Sequence, residues 1–143
     1  MPYGSRKRIV TPDSLAQSAQ LRAEAAQLAE SIGRSHSIVR RVVLFGSVAN
    51  GKARRKSDKD LGLVLDDSIG LLDELLLKTR VRSTLRHEGA KGVHLVVMSE
   101  QDLQKAAEPV TVVRSLFGEA RIGPSPFWEN IHREGQELYR REN

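Results

Sequence analysis

The sequence contains no cysteine and few aromatic residues. Without cysteine the chain has neither disulfides nor thiolate metal ligands, a composition typical of cytoplasmic proteins. One Trp, two Tyr and three Phe are too few to provide rows of aromatic platforms for stacking single-stranded bases. The composition therefore predicts a cytoplasmic protein that does not depend mainly on base stacking.

Long hydrophobic runs are also missing. No segment approaches the about 20 consecutive apolar residues that a membrane helix requires, and the basic start of the chain lacks the apolar core of a signal peptide. We therefore expect no membrane association. The length of 143 residues predicts one domain, residues 11–143, preceded by a flexible basic tail, residues 1–10.

Positive charge is in excess. The net charge of +5 and the pI of about 9.9 favour acidic partners, which include nucleoside triphosphates, nucleic acid and acidic proteins. Nucleic acid is a possible partner but not the favoured one, because the sequence carries no known base-reading motif.

Apolar periodicity predicts the first elements of the fold. A helix is expected from Thr11-Pro12, where Thr11 is the N-cap, to about Gly33. Two apolar strands follow, Val39–Phe45 and Leu61–Leu65. Because the polar spacer between them is too short for a crossover helix, these strands should pair antiparallel.

The second half of the chain is predicted to alternate helices with one strand. A helix should start after Asp66-Asp67-Ser68, which would cap it, and end at His87-Glu88-Gly89. Its inward side chains are expected to be Leu71, Leu72, Leu75, Leu76, Thr79 and Leu85. The remaining predicted elements are a strand over Gly92–Met98, a short helix from Ser99 to about Ala107 and a last helix over Phe127–Arg140. The pattern of the intervening segment Val110–Phe117 fits either a helix or a strand, and we favour the helix. This order predicts an α/β (α+β) fold, a small mixed sheet with helices packed on it.

The most informative stretch lies between the first two strands. The first strand runs into Gly46-Ser47, a basic loop follows, and Asp58 and Asp60 stand two residues apart at the start of the second strand. Residues two apart in a strand point to the same face, and two carboxylates on one face favour a bound cation. A Gly-Ser turn offers backbone N–H groups and a hydroxyl to phosphate oxygens. The stretch therefore predicts phosphoryl or nucleotidyl transfer.

This pattern resembles the nucleotidyltransferase superfamily typified by DNA polymerase beta. Its signature is a G-S motif, a spacer and a D-x-D that enters a strand, here Gly46-Ser47, ten residues and Asp58-Lys59-Asp60. The segment Ile131–Tyr139 is similar to the closing I-x-x-E-G-x-x-L-Y segment of the minimal nucleotidyltransferases, small domains that often act as antitoxins to HEPN-domain ribonucleases. The resemblance implies a polymerase-beta-like nucleotidyltransferase fold for residues 11–143.

The resemblance also implies a role for each residue of the motif. Asp58 and Asp60 would bind Mg²⁺ (or Mn²⁺), while Gly46, Ser47 and Ser57 would contact the phosphates of a nucleoside triphosphate. The spacer also carries four basic side chains, which either attract a triphosphate or an acidic partner or are simply solvated: Lys52, Arg54, Arg55 and Lys56.

His94 departs from the family pattern. Catalytic members usually present a third carboxylate from the strand that here runs from Val93 to Met98, and strand alternation assigns that position to His94. Imidazole is a poor ligand for Mg²⁺. Four interpretations stay open: a general base toward an incoming hydroxyl, a ligand of a softer metal, lost activity, or an ordinary strand histidine with one hydrogen bond.

Two functions follow from the resemblance. In the first, the protein transfers a nucleoside monophosphate, AMP from ATP, to a hydroxyl of a partner protein, a HEPN-type toxin that AMPylation would silence. In the second, the fold is catalytically inactive and neutralises the toxin by binding alone. Because the chain is short, the acceptor is expected to come from a partner protein or from a second copy in a homo-oligomer.

Overall fold

The computed structural model describes residues 9–54, 56–108, 111–123 and 125–142. These segments contain the following elements: α1 Pro12–Ser35, β1 Arg41–Phe45, α2 Gly46–Ala49, β2 Lys59–Leu65, α3 Leu71–His87, β3 Val93–Ser99, α4 Glu100–Ala106, β4 Thr111–Ser115, β5 Gly118–Ile122, α5 Pro126–Glu134 and β6 Gln136–Arg140. Within these segments, no helix is both long and apolar enough to cross a membrane. The predicted tail falls almost entirely outside them, as does Arg55.

Four strands form one mixed sheet in the order β3-β2-β1-β6. β1 pairs antiparallel with β2, as its short polar connection requires, and β2 pairs parallel with β3 because α3 makes the crossover between them. β6 pairs antiparallel with the other edge of β1. The predicted α/β (α+β) fold with a small mixed sheet is confirmed.

Helices cover both faces of this sheet. The residues Leu61, Leu63 and Leu65 of β2 belong to the larger core cluster, which also contains apolar side chains of α1 and α3. Val64, on the opposite side of the same strand, belongs to a second cluster that includes Ile131 of α5. Strand alternation therefore assigns odd-numbered β2 residues to the α1–α3 face and even-numbered residues to the α4–α5 face.

The N-terminal helix begins as predicted. The Thr11 hydroxyl accepts a hydrogen bond from the Ser14 N–H at 3.0 Å, and the Thr11 N–H donates to the Ser14 hydroxyl at 2.7 Å. This reciprocal pair is a capping box, with Pro12 in the first turn.

The prediction for the inner face of α3 is largely wrong. Leu71, Leu72, Leu75 and Leu76 are 73, 70, 52 and 47 % exposed, and Thr79 is also exposed. The side chains that face the core are Leu77, Val81 and the predicted Leu85. The predicted cap is also wrong, because α3 starts after Gly70 without a side-chain cap hydrogen bond.

The prediction for the C-terminal third is wrong in two elements. Residues 111–122 form the antiparallel hairpin β4–β5 in place of a helix, because Val112 and Val113 are β-branched and Gly118 has a φ of 121° that permits the turn. The last helix ends at Glu134. Gly135 has extended backbone angles and directs the chain into β6, where backbone pairing with β1 replaces further helical bonds.

Candidate active site

Asp60 lies at the centre of the candidate site. It is the second residue of β2, where it pairs with Phe45 of β1 on one side and with His94 of β3 on the other. Its side chain is 23 % exposed. The mixed topology thus places one carboxylate between the end of β1 and the start of β3.

Gly46 allows the Asp60 carboxylate to approach the backbone of the β1–α2 corner. Gly46 has a φ of 77°, and a Cβ atom built on it would lie 2.2 Å from Asp60 Oδ2. Both the left-handed backbone and the close approach require glycine. The sequence predicted a close approach at Gly46 for a phosphate, and the structure shows the carboxylate in contact there.

His94 occupies the strand position predicted for the third acid. Its Nδ1 lies 3.1 Å from Asp60 Oδ1, and its side chain is 56 % exposed. A parallel register that aligns Asp60 with His94 produces this contact. An imidazole therefore lies beside the Asp60 carboxylate at the position where the resemblance predicts the third carboxylate.

Asp58 lies just before β2 and is exposed. A Cβ atom on Gly92 would lie 3.3 Å from Asp58 Oδ1, so this carboxylate borders the turn that precedes β3. Within the described segments, no three His, Cys, Asp or Glu side chains are close enough to hold a metal ion. Asp58, Asp60 and His94 therefore do not form a complete three-ligand site.

Ser47 and Ser57 differ in their surroundings. Ser47 is half-buried in the first turn of α2. Ser57 closes a turn in the spacer, where its hydroxyl accepts a hydrogen bond from the Arg54 N–H at 2.7 Å and its own N–H donates to the Arg54 carbonyl at 3.0 Å. Ser57 thus holds the spacer immediately before Asp58.

Lys59 is a buried residue of the candidate site, and the sequence patterns did not predict its burial. It lies between the two aspartates but points to the α1–α3 face, and it is only 5 % exposed. Its Nζ donates to the Lys91 carbonyl at 3.1 Å and lies 3.5 Å from Glu24 Oε2 of α1. Its N–H donates to the Gly92 carbonyl at 2.8 Å. Strand alternation in Asp58-Lys59-Asp60 was the signal that could have revealed this inward lysine.

Residues of the C-terminal motif form hydrogen bonds with the end of α2. The Gln136 side-chain amide donates to the Ala49 carbonyl at 2.9 Å, and the Asn50 amide donates to Glu134 Oε2 at 3.3 Å. The ring of Phe127 meets that of Phe45 edge-on, with centroids 5.6 Å apart. The two sequence motifs, far apart along the chain, therefore build one corner of the molecule.

The comparison with protein families agrees with this architecture. A family described as "Polymerase beta, Nucleotidyltransferase" matches residues 27–143. The chain belongs to this nucleotidyltransferase family. The matched segment includes both motifs of the candidate site as well as His94, and the mixed sheet is that of a polymerase-beta-like nucleotidyltransferase fold.

Two solved structures are similar to this family member. A nucleotidyltransferase candidate from Sulfolobus solfataricus has a TM-score of 0.50 at 19 % identity, over 72 % of this chain and 84 % of its own, which shows the fold alone. A toxin–antitoxin structure with AMP-PNP has a TM-score of 0.48 at 18 % identity, over 82 % of this chain and 74 % of its own. No curated protein sequence matches the chain.

Proposed function

We propose that this protein transfers a nucleoside monophosphate from a nucleoside triphosphate to a hydroxyl group, with pyrophosphate as the leaving group. One observation carries the proposal: the Asp60 carboxylate is in contact with Gly46 at the β1–α2 corner and lies 3.1 Å from His94 Nδ1. A carboxylate, a glycine turn and an imidazole at one sheet end provide a metal ligand, a phosphate contact and a proton acceptor.

The carboxylates fit the proposed Mg²⁺ (or Mn²⁺) ion. Mg²⁺ prefers oxygen ligands and is usually held by one or two carboxylates together with substrate phosphates, which suits a site that lacks a third protein ligand. The missing Cβ of Gly46 leaves Asp60 Oδ2 next to backbone rather than to a side chain. Asp58 and Asp60 would hold the ion, which would neutralise the charge of the triphosphate when bound.

The other polar groups would orient the nucleotide. Ser47, in the first turn of α2, would offer its hydroxyl and backbone N–H to phosphate oxygens. Ser57 would act mainly through its turn with Arg54, which fixes the chain before Asp58. His94 would donate Nδ1–H to Asp60 Oδ1, and its Nε2 would then accept the proton of the incoming hydroxyl.

We further propose AMP as the transferred group and a HEPN-type toxin as the protein that supplies the hydroxyl. The support is the resemblance of the closing segment to minimal nucleotidyltransferases, together with four neighbouring leucines exposed at the start of α3. Exposed apolar patches of this kind typically mark protein–protein contacts. A second candidate function, toxin neutralisation by binding alone, is favoured by the same leucines and by the replacement of the third carboxylate with His94.

Label transfer from α-labelled ATP tests the first function. The protein is incubated with a co-expressed candidate toxin and Mg²⁺ or Mn²⁺, and Asp60→Asn is the matched control because it keeps the side-chain shape and removes the charge. We expect label on the toxin with the wild type and loss of at least about 10²-fold in rate with the variant. Neutralisation of the toxin without label, unchanged in Asp60→Asn, would instead identify the binding function.

A further inference from the structure

A basic groove lies on the face of the sheet opposite to Asp60. Two cavities meet there at Gly92, one of about 380 Å³ against α3 and one of about 400 Å³ against α1. Gly92 lines both, and its φ of 64° belongs to the turn before β3. We call their combined surface the Gly92 groove.

The charge of the Gly92 groove is strongly one-sided. The cavity against α3 is lined by Arg82 and Arg86, which are one helical turn apart. The cavity against α1 is lined by three lysines and one acid, Lys56, Lys59, Lys91 and Glu24. The linings of the two cavities thus present five cationic side chains and one carboxylate, and the Asp58 carboxylate borders the groove at Gly92.

Four of these cations remain available to a ligand. Lys59 is buried and lies 3.5 Å from Glu24, so this pair largely neutralises itself. The other four are exposed, and within the described segments none of them forms a salt bridge: Lys56, Arg82, Arg86 and Lys91. These four cations outnumber the one bordering carboxylate, Asp58, and an excess of cations around a concave surface attracts an extended polyanion.

The residues that line the groove indicate which kind of polyanion it binds. No aromatic side chain is among the described residues that line either cavity, so the groove has no platform on which a free base could stack. A duplex exposes its phosphates while its bases remain stacked inside, and it is bound mainly by Lys and Arg contacts to the backbone. We propose that the Gly92 groove binds the phosphodiester backbone of a nucleic-acid duplex, an interaction beyond nucleotidyl transfer.

Fluorescence anisotropy with labelled RNA and DNA duplexes tests the proposal. Affinities are measured between about 50 and about 200 mM salt, the range in which phosphate contacts are lost. We expect the slope of log K against log salt to fall in magnitude by about 2 in Arg82→Gln/Arg86→Gln and in Lys56→Gln/Lys91→Gln. Similar affinities for the RNA and DNA duplexes would indicate recognition of the phosphate backbone. A higher affinity for one of them would show which duplex geometry fits the groove.

The matched control is Arg34→Gln/Arg114→Gln. It removes the same two charges from the last turn of α1 and from β4, outside both cavities. An equal loss in this control would show that net charge, not the groove, binds the duplex, and would overturn the proposal. Absence of duplex binding at about 50 mM salt, or groove-dependent binding of poly-glutamate alone, would also overturn it. None of these outcomes depends on label transfer, so the proposed function stands or falls separately.

Discussion

At the scale of single residues, the site depends on the absence of a side chain at Gly46. Its backbone is left-handed, and its missing Cβ leaves the space in which Asp60 Oδ2 lies. Gly89 is left-handed as well, with a φ of 69°, but nothing lies within 4 Å of a Cβ built there. A comparison of substitutions at Gly46 and Gly89 therefore distinguishes the free-energy cost of a left-handed backbone from the effect of displacing the Asp60 carboxylate.

Gly46→Ala is predicted to lower both stability and metal affinity. A left-handed backbone costs a non-glycine residue about 1–2 kcal/mol, and the added methyl would also push Asp60 away from the corner. Gly89→Ala should lose a similar free energy of unfolding without loss of Mn²⁺ binding. Urea denaturation and Mn²⁺ titration by electron paramagnetic resonance measure both. Equal Mn²⁺ affinity in the two variants would contradict the proposed role of the Gly46 corner.

His36 provides a pH dependence far from the site. Burial lowers its pKa below the usual value, and the nearby Arg80 guanidinium lowers it further. Its Nε2 lies 2.8 Å from Thr84 Oγ1 of α3, so the ring joins α1 to α3. Below the usual histidine pKa of about 6.5, the unfolded chain takes up the proton first, and stability therefore falls as the pH drops through this window.

His36→Gln should remove part of this pH dependence. Urea unfolding between about pH 5 and about pH 7.5, which spans the usual histidine pKa, would show a shallower decline for the variant than for the wild type. His87→Gln, at an exposed histidine that ends the same helix α3, is the control and should keep the wild-type decline. Identical pH profiles for wild type and His36→Gln would refute the assignment.

At the scale of elements, α3 shows how a helix with leucines on several faces misleads periodicity. Leu71, Leu72, Leu75 and Leu76 fit an apolar stripe in sequence, yet the core accepts Leu77, Val81 and Leu85. Both stripes satisfy helical spacing. Only packing against α1 and β3 selects one of them, and the other stripe remains on the surface as a candidate interface.

Alanine substitutions distinguish the two stripes. Leu85→Ala should cost about 2–5 kcal/mol, because it opens a cavity in the core, whereas Leu75→Ala should stay within about 0.5 kcal/mol as a surface change. Chemical denaturation of both variants measures the difference. If the protein forms a complex with a toxin, Leu75→Ala should weaken the complex without affecting the isolated fold. A loss above about 2 kcal/mol for Leu75→Ala would match core burial, contrary to the observed exposure.

The C-terminal elements show a second ambiguity of pattern. The segment Ile131–Tyr139 has apolar residues at helical spacing, which predicts one helix across it. The structure ends α5 at Glu134, and β6 pairs with β1. A Cβ on Gly135 would lie 2.3 Å from the Ile131 carbonyl oxygen, so the backbone conformation that leads from α5 into β6 requires glycine at this position.

At the scale of the whole molecule, β6 closes the fold onto α1. The ring of Tyr139 packs on Gly33, where a Cβ would lie 2.2 Å from its Cζ atom. The Arg141 guanidinium donates to the Gly33 carbonyl, and the Arg141 N–H donates to the Arg40 carbonyl at 2.8 Å. The last strand thus joins the end of the first helix to the edge of the sheet.

Tyr139→Ala is predicted to destabilise the entire domain. Truncation of a fully buried aromatic side chain costs about 3–5 kcal/mol, and the partly buried Tyr139 should cost about 2–3 kcal/mol on the same basis. Tyr139→Phe keeps the ring on Gly33 and should remain close to wild type. Thermal unfolding should show one transition that shifts as a unit, because α1 and the sheet share this core. A separate early transition limited to β6 would contradict that coupling.

Sequence patterns alone predicted four features correctly: the family, the α1–β1–β2–α3–β3 order, the antiparallel pairing of β1 with β2 and the position of His94 on the strand after α3. These features depend on local information: a short spacer, strand alternation and a motif with fixed spacing. The sequence also predicted that His94 takes the place of the family's third carboxylate. Strand alternation in Val93–Met98 is enough to assign His94 to that face of the strand.

Long-range packing selected the buried stripe of α3, paired residues 136–140 with β1 and buried Lys59 beside Glu24. It also brought Gly92 between two cavities and assembled the basic groove from α3, the spacer and the turn before β3. These outcomes depend on the relative free energies of burial and backbone pairing between segments that are distant in sequence. No local pattern encodes that comparison, because both outcomes satisfy the same spacing of apolar and charged residues.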